Sequence, residues 1–351
     1  MDIKEVLNNF QIDGEVKTYS PLGNGHINVT YLVETISEKK YVLQKINNNV
    51  FKDVGLLMSN YFQVTNYLFE NGFESIHLVS TKDGEHYFHS GDEYYRLYDY
   101  IDHAICYEEI DNSHLVYCAA KAFGKLHKSL KGFDASKLGE VIPNFHNTYQ
   151  RYLNLLDAIK ADKLNRVKDC HKEIELAKSY ANEYGKIVDG IKDKTISLGV
   201  THNDPKINNV LFDMKTGDIR AVIDLDTIMP GSYLYDFGDA LRSLFTGDNE
   251  SSEDLTKLVV NYDVFEAYVK GYLEEMKGVL TPQEVALLPF SAFLLTIECG
   301  MRFLEDYIRG DVYFRIHYEN QNLVRARTQL TLAKNIYQSI DSLNEIVKKY
   351  L

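Results

Sequence analysis

The residues best suited to chemistry lie close together in one segment, LGVTHNDPKINNVLFDMKTGDIRAVIDLDT. Asp204 follows His202 by two positions, and Asn209 comes five positions after Asp204. Asp224 follows the apolar residues AVI, which are typical of a strand. The sequence therefore gathers several polar side chains around a segment with the pattern of a strand, a loop and a hairpin.

The residues FDMKTGDI within this segment predict a turn centred on Thr216 and Gly217. In a hairpin with this turn, Asn209 lies opposite Asp224 at the open end, and Asp204 lies one loop away. A shift of the register by one residue would remove that pairing. With this register, three oxygen-bearing side chains are expected to meet at the end of the hairpin.

Such a trio suits phosphoryl transfer. An amide and a carboxylate are hard oxygen ligands for Mg²⁺, and the metal neutralises phosphate charge. The remaining carboxylate, Asp204, can accept the proton of an acceptor hydroxyl, and Pro205 keeps Asp204 in an extended conformation. The alternative is structural: His202 and Asp204 satisfy hydrogen bonds of a turn, and Asp224 ends a strand by chance.

Two kinds of sequence pattern surround this segment. The N-terminal part alternates in period two and predicts strands, with a hairpin of Val29–Thr35 and Tyr41–Ile46 and an amphipathic helix that begins at Val54. The remainder shows apolar residues at three- and four-residue steps and predicts helices. We expect an α+β fold with two lobes: a small antiparallel β-sheet lobe with one helix, residues 1–101, and a larger, mostly helical lobe, residues 102–351.

Composition excludes several classes of function. The chain has 351 residues, with 38 Lys and Arg against 51 Asp and Glu, which gives a net charge of −13. A surface this acidic argues against nucleic acid or an anionic membrane as the partner. The four cysteines show neither metal-binding nor disulfide spacing, and the sequence contains neither a signal-peptide pattern nor a run of about 20 apolar residues. We expect a cytoplasmic monomer that binds small molecules.

The segments HNDPKINN and VIDLDT resemble the catalytic loop and the metal-binding aspartate of the aminoglycoside phosphotransferase family, small-molecule kinases with a protein-kinase-like fold. A narrower likeness covers nearly the whole chain: GNGHINVTYLV, AVIDLDTIMPGSYLYDFGDALR and ECGMRFLEDYIRGDVYF are similar to segments of the N-acetylhexosamine 1-kinases. This resemblance implies an ATP- and Mg²⁺-dependent kinase that phosphorylates the anomeric hydroxyl of N-acetylglucosamine or N-acetylgalactosamine. The preference between the two sugars stays open.

The resemblance also implies roles for individual residues: Asp204 as the catalytic base that contacts the acceptor, Asn209 and Asp224 as magnesium ligands, and Arg302 and Tyr313 as sugar contacts. Arg302 suits this task because a guanidinium donates to two hydroxyls at once. The alternative for Arg302 is an ion pair with Glu298 or Glu305 on its own helix. His26 is a further candidate contact to the sugar or the γ-phosphate, against the alternative of a turn histidine without a role.

The phosphate-binding end departs from the kinase pattern. The turn Gly23-Asn24-Gly25 could place backbone N–H groups over phosphates, although an ordinary hairpin turn explains it equally well. In the strand YVLQKI, Gln44 stands where a phosphate-pairing lysine is expected, and Lys45 lies on the opposite face. The following helix offers Gln63 in place of a glutamate. Either Lys45 reaches the phosphates through a bulge, or Mg²⁺ and backbone donors hold them alone, which we favour.

The adenine is expected against the backbone of Asp99, Tyr100 and Ile101, where the two lobes meet. Three other functions stay open. A kinase of the same fold could act on a hexose, an amino alcohol or an aminoglycoside. A nucleotide-binding pseudokinase would explain the missing lysine, but the retained catalytic trio opposes it. A phosphatase could use the pair Asp224 and Asp226, but the chain lacks the alternating strands and helices that such enzymes show.

Overall fold

The computed structural model describes residues 2–23, 27–107, 112–247 and 250–351. In chain order, the strands are β1 (Val16–Pro21), β2 (Val29–Thr35), β3 (Lys40–Ile46), β4 (Leu78–Val79), β5 (Phe88–Ser90), β6 (Glu93–Asp99), β7 (Ala104–Ile105), β8 (Gly199–Thr201), β9 (Val210–Asp213), β10 (Ile219–Val222) and β11 (Met229–Gly231). The helices are α1 (Ile3–Leu7), α2 (Val54–Glu70), α3 (Ser113–Leu130), α4 (Thr148–Ala161), α5 (His171–Ser179), α6 (Lys186–Lys192), α7 (Tyr233–Thr246), α8 (Tyr262–Met276), α9 (Pro282–Ala286), α10 (Leu288–Arg309), α11 (Gln321–Gln338) and α12 (Ile340–Lys348).

The chain packs as two compact units, neither of which is continuous in sequence. The first unit consists of Met1–Cys106, Gly132–Pro143 and Asn209–Met229, and the second consists of Tyr107–Lys131, Asn144–Asn208 and Pro230–Leu351. The expected boundary after Ile101 lies near the first crossing between units. Two later segments also belong to the first unit, and one of them carries Asn209 and Asp224. The nucleotide and acceptor roles of residues 1–101 and 102–351 stay predictions.

The first unit is built on antiparallel strands. Its main sheet has the order β1-β2-β3-β6-β4, with β5 also paired to β6, and a second sheet has the order β10-β9-β7. The predicted hairpin is confirmed, since β2 and β3 pair without interruption from Val29–Lys45 to Glu34–Lys40. The predicted helix is α2, which Asp53 begins by accepting the N–H of Leu56. The whole apolar stripe of α2 is buried.

The second unit is mostly helical. Its core contains the apolar faces of α7, α8, α10 and α11, with side chains such as Phe237, Phe265, Phe293 and Leu330. Helix α8 approaches α3 closely at Gly271, where an added Cβ would lie 2.2 Å from the carbonyl oxygen of Tyr117. The only sheet among the described residues of this unit pairs β8 with β11. No helix in the described parts of the chain has the length and apolarity of a membrane crossing.

Candidate active site

The loop predicted to be catalytic follows β8 directly. Asn203 adopts a left-handed conformation with φ of 65°, which turns the chain immediately before Asp204. The Asp204 side chain is 30% exposed, and its carboxylate lies 2.9 Å from the ammonium group of Lys206. Burial lowers the pKa of Lys206, but the charge and hydrogen bond of Asp204 raise this pKa above its ordinary value. The expected base is therefore a carboxylate that solvent, and hence an acceptor, can reach.

A buried carboxylate on α7 holds this loop in place. Asp236 is fully buried and accepts the backbone N–H groups of His202 and Asn203, each at 2.7 Å. His127 Nε2 lies 2.7 Å from the same carboxylate. Burial raises the pKa of Asp236, but the hydrogen bond and charge of His127, with the charge of His202, lower it below its ordinary value. Asp236 thus stays ionised and fixes the backbone next to Asp204.

The hairpin that carries Asn209 and Asp224 has a different register from the predicted one. The turn begins at Asp213, whose carboxylate accepts the N–H groups of Lys215 and Thr216 at 2.9 and 3.0 Å. The pairing of β9 with β10 then shifts by one residue at Arg220, between the pairs Ile219–Phe212 and Ala221–Leu211.

The ladder therefore brings Asn209 opposite Ile223, whose N–H donates to the Asn209 carbonyl at 2.8 Å. The predicted pairing of Asn209 with Asp224 is wrong by one residue. Strand β10 ends at Val222, and Asp224 leaves the ladder in a left-handed conformation with φ of 59° and ψ of 53°. Asn209 and Asp224 still share one end of the hairpin in the first unit, whereas Asp204 belongs to the second unit.

The donor set suits Mg²⁺. The side chains of Asn209 and Asp224 offer amide and carboxylate oxygens, and Mg²⁺ in kinases takes few protein ligands together with phosphate oxygens and water. Across the described ranges, no group of three or more His, Cys, Asp or Glu side chains forms a cation site. These residues therefore fit a metal that is shared with phosphates, and they do not form a cation site of protein ligands alone.

Arg302 on α10 does not form the ion pairs that its sequence neighbours offer. Glu298 is buried and accepts a hydrogen bond from Thr148 at 2.6 Å, and Glu305 accepts one from Arg309. Arg302 has no ion-pair partner among the residues that the structure describes. Its guanidinium carbon lies 5.3 Å and 5.5 Å from the ring centres of Phe145 and Phe314. Arg302 is thus a half-buried cation held between aromatic rings.

The loop after α10 is fixed by one buried carboxylate. Asp306 accepts the N–H groups of Val312, Tyr313 and Phe314 at 2.8 to 2.9 Å. The Tyr313 side chain remains 65% exposed, with its ring edge-on to Phe314. The two predicted sugar contacts, Arg302 and Tyr313, thus both lie next to the Phe314 ring.

Sequence reasoning missed two polar residues of the second unit, Asp239 and His146. Asp239 and Arg242 on α7 form a nearly buried ion pair at 2.6 Å, and both interact electrostatically with Lys206. Their i,i+3 spacing on a helix was the available signal. His146 places Nδ1 2.9 Å from Glu298, and its buried Nε2 has no hydrogen-bond partner among the described residues. No local sequence pattern predicts this contact of His146, because its partner Glu298 lies 152 positions away.

The predicted nucleotide contacts are only partly described. Gly23 is exposed with φ of 69°, while Asn24, Gly25 and His26 lie outside the described residues. Asp99 donates its N–H to His77, and Tyr100 donates its N–H to Lys40. Of the three predicted adenine contacts, Ile101 is the one whose N–H is bonded to no described residue.

The strand at the expected lysine position contains no bulge. Strand β3 pairs regularly with both β2 and β6, and the Lys45 ammonium group contacts the Glu93 carboxylate. The alternative that Lys45 reaches inward through a bulge is therefore wrong. Gln44 instead accepts the guanidinium N–H groups of Arg96 from the neighbouring strand, at 2.9 and 2.5 Å. Arg96 therefore places a positive charge next to Gln44, which the sequence pattern does not predict.

A family model described as the phosphotransferase enzyme family matches residues 18–268. The matched range includes β1 to β11 from Thr18 onward, and with them Asp204, Asn209 and Asp224.

Solved structures share this fold at low sequence identity. An aminoglycoside phosphotransferase from Alicyclobacillus acidocaldarius has a TM-score of 0.63 and 13% identity, with 99% of this chain and 97% of that chain covered. A choline kinase from Cryptosporidium parvum has a TM-score of 0.63 and 14% identity, covering 99% and 98%. An amicoumacin kinase in complex with AMP-PNP and Ca²⁺ has a TM-score of 0.61 and 14% identity, covering 95% and 94%. At these identities the likeness shows the fold alone.

Proposed function

We propose, from the premise that this chain belongs to the phosphotransferase enzyme family, that it is an ATP- and Mg²⁺-dependent kinase of N-acetylhexosamines. The reaction transfers the γ-phosphate of ATP to the anomeric hydroxyl and gives the sugar 1-phosphate and ADP. In this proposal residues 1–101 bind the nucleotide, and residues 102–351 supply the base and the acceptor site.

The surroundings of the Arg302 guanidinium are the observation that supports a sugar as the acceptor. A guanidinium between the rings of Phe145 and Phe314, with no carboxylate partner among the described residues, is ready to donate hydrogen bonds to a neutral polyhydroxyl ligand. A cationic acceptor such as an aminoglycoside or choline would be repelled by this charge. An aromatic ring beside the guanidinium also suits the apolar face of a pyranose or an acetamido methyl group.

In this proposal most of the named residues position the reactants, and Asp204 accepts the proton. Bound Mg²⁺ neutralises phosphate charge, and Asn209 and Asp224 would hold it. Asp204 accepts the hydrogen bond and then the proton of the acceptor hydroxyl, whose oxygen attacks the γ-phosphorus while ADP leaves. Lys206 keeps the Asp204 carboxylate in one orientation, and Asp236 fixes the backbone that carries it.

Product analysis tests the proposal. The wild type is incubated with Mg·ATP and equal amounts of N-acetylglucosamine, N-acetylgalactosamine and glucose, and the mixture is followed by phosphorus NMR. We expect an acid-labile 1-phosphate of one or both N-acetylated sugars, and at least about a thousandfold lower rate in Asp204→Asn. The control Asp189→Asn changes an exposed carboxylate of the same unit and should retain wild-type activity.

Other products would redirect the assignment. A sugar 6-phosphate would refute the anomeric position, and turnover of an amino alcohol alone would refute the acceptor class. Binding of ADP without turnover of any acceptor would favour a nucleotide-binding pseudokinase.

The role of Arg302 has its own test. In Arg302→Lys the ammonium group loses the planar fork, so the KM for the sugar should rise about tenfold while the KM for ATP stays unchanged. The control is Arg309→Lys on the same helix, where the exposed pair with Glu305 contributes little. Equal changes in both KM values would argue against sugar contact by Arg302.

A further inference from the structure

A network of buried polar side chains in the first unit links β3 and β6 to the turn that follows β10. Arg96 on β6 is 1% exposed, and its guanidinium lies 2.5 Å from the carboxylate of Asp226, which is 5% exposed. The same guanidinium donates to Gln44 on β3, and it packs 4.5 Å from the centre of the Tyr61 ring on α2. The charge of Arg96 is thus buried beside an opposite charge, and the two facing atoms, Arg96 Nη1 and Asp226 Oδ1, have no hydrogen-bond partner among the described residues.

The network continues to Asn28, directly before β2. Asn28 donates its amide N–H to the Asp226 carboxylate at 2.6 Å and accepts the backbone N–H of Asn47 at 2.9 Å. Asn47 in turn donates its side-chain amide to the carbonyl of Ile27. Asn28 lies directly before β2, and Asp226 lies two residues after Asp224. Asp226 thus joins the start of β2 to the turn of Asp224, the residue that the proposed function assigns to the metal.

We propose that Arg96 and Asp226 are positioning residues that hold the turn of Asp224 for the metal. They take the place of the lysine–glutamate pair of the kinase pattern, at whose positions this sequence has Gln44 and Gln63. The proposal rests on the proposed function, because the proposed function assigns Asp224 to Mg²⁺. Gln44, at the expected lysine position, serves by holding Arg96.

Two arguments separate this role from simple stabilisation of the fold. A buried ion pair is seldom more stabilising than apolar side chains of similar size, so stability alone does not explain its presence. Its location is also specific: burial raises the pKa of Tyr98, and Asp224 and Asp226 raise it further, so that both carboxylates lie near this ring. Arg96 neutralises one of these two carboxylates and leaves the charge of the other for the cation.

Binding of ADP, measured by calorimetry with and without Mg²⁺ and in the absence of any acceptor, tests the proposal. The variants are Arg96→Met, Arg96→Lys and the pair Arg96→Met with Asp226→Asn, which removes both charges together. The control is Arg220→Gln, which breaks an ion pair of the same hairpin with Glu74 at the surface.

We expect the affinity for Mg·ADP to fall at least tenfold in Arg96→Met and about threefold in Arg96→Lys, with little change for ADP without Mg²⁺. The double variant should recover most of the unfolding midpoint that Arg96→Met loses, and none of the affinity. Arg220→Gln should bind Mg·ADP as the wild type does.

The proposal is overturned if the double variant regains both the midpoint and the affinity, since the pair is then only structural. If Arg96→Met does not fold, Arg96→Lys decides, and wild-type affinity in that variant contradicts the proposal. A wild type that binds Mg·ADP tightly but phosphorylates no N-acetylhexosamine refutes the proposed function and leaves the role of Arg96 standing. A wild type that does not bind Mg·ADP refutes both.

Discussion

Two buried carboxylates hold the loops that carry Asp204 and Asp224, and they do so with different partners. In the first unit, Asp226 is held by the side chains of Arg96 and Asn28. In the second unit, Asp236 is held by the backbone N–H groups of His202 and Asn203, together with the ring of His127.

Because their partners differ, the two anchors are expected to tolerate different substitutions. Backbone N–H donors are present for almost any residues in the loop, so the anchor of the Asp204 loop depends mainly on Asp236 itself. The anchor beside Asp224 depends on three side chains that come from distant parts of the chain. We therefore expect Asp236 to be irreplaceable, and the pair of Arg96 and Asp226 to be replaceable for folding when both change together.

The largest effect is expected for Asp236→Ala. This variant leaves two buried N–H groups and His127 without their acceptor, so the free energy of unfolding should fall by about 3–5 kcal/mol. Urea unfolding at pH 7 measures the loss, with Asp189→Ala as the exposed control. A loss below about 1 kcal/mol would show that water replaces the carboxylate and would remove the contrast between the two anchors.

A double-variant comparison is the next test. Asp226→Asn should cost about 2 kcal/mol because the Arg96 charge stays buried, and adding Arg96→Met should restore much of this loss. Adding His127→Leu to Asp236→Asn should restore nothing, because the backbone donors remain. The same urea experiment gives the coupling energy of each pair, and equal coupling energies would contradict the distinction.

The smallest effect is expected from pH. The folded pKa of Asp236 lies below the ordinary value of about 3.9, so this carboxylate stabilises the fold above that pH. The contribution is lost as the pH falls through the folded pKa, at about 1.4 kcal/mol for each unit of the shift. The unfolding free energy of the wild type should therefore drop more steeply below about pH 4 than that of Asp236→Asn. Parallel curves would mean that Asp236 does not titrate with unfolding.

Local signals in the sequence were enough for the framework of the fold. Alternation in period two predicted β2 and β3, and the apolar stripe predicted α2. The predicted register of the β9–β10 hairpin was wrong for two local reasons. The side chain of Asp213 begins the turn early, and a bulge lies at Arg220. Both features depend on hydrogen bonds that strand alternation does not encode.

Long-range partners explain what was missed in the candidate site. The contact of Arg96 with Gln44 spans 52 positions, and that of Asn28 with Asp226 spans 198. No periodicity connects residues so far apart. The absence of a usable lysine at Gln44 was recognised, whereas the arginine from β6 became visible only when the strand order placed β3 beside β6.

The left-handed backbone of Asp224 opposes stability to the metal-binding role that the proposed function gives this residue. Most residues with a Cβ lose about 1 kcal/mol or more in this conformation, asparagine and aspartate tolerate it better, and glycine adopts it without steric cost. A library screened for heat resistance alone would therefore enrich glycine at this codon, and under the proposed function such variants lose a metal ligand and are inactive. Under that function, thermostability engineering of this chain has to keep Asp224.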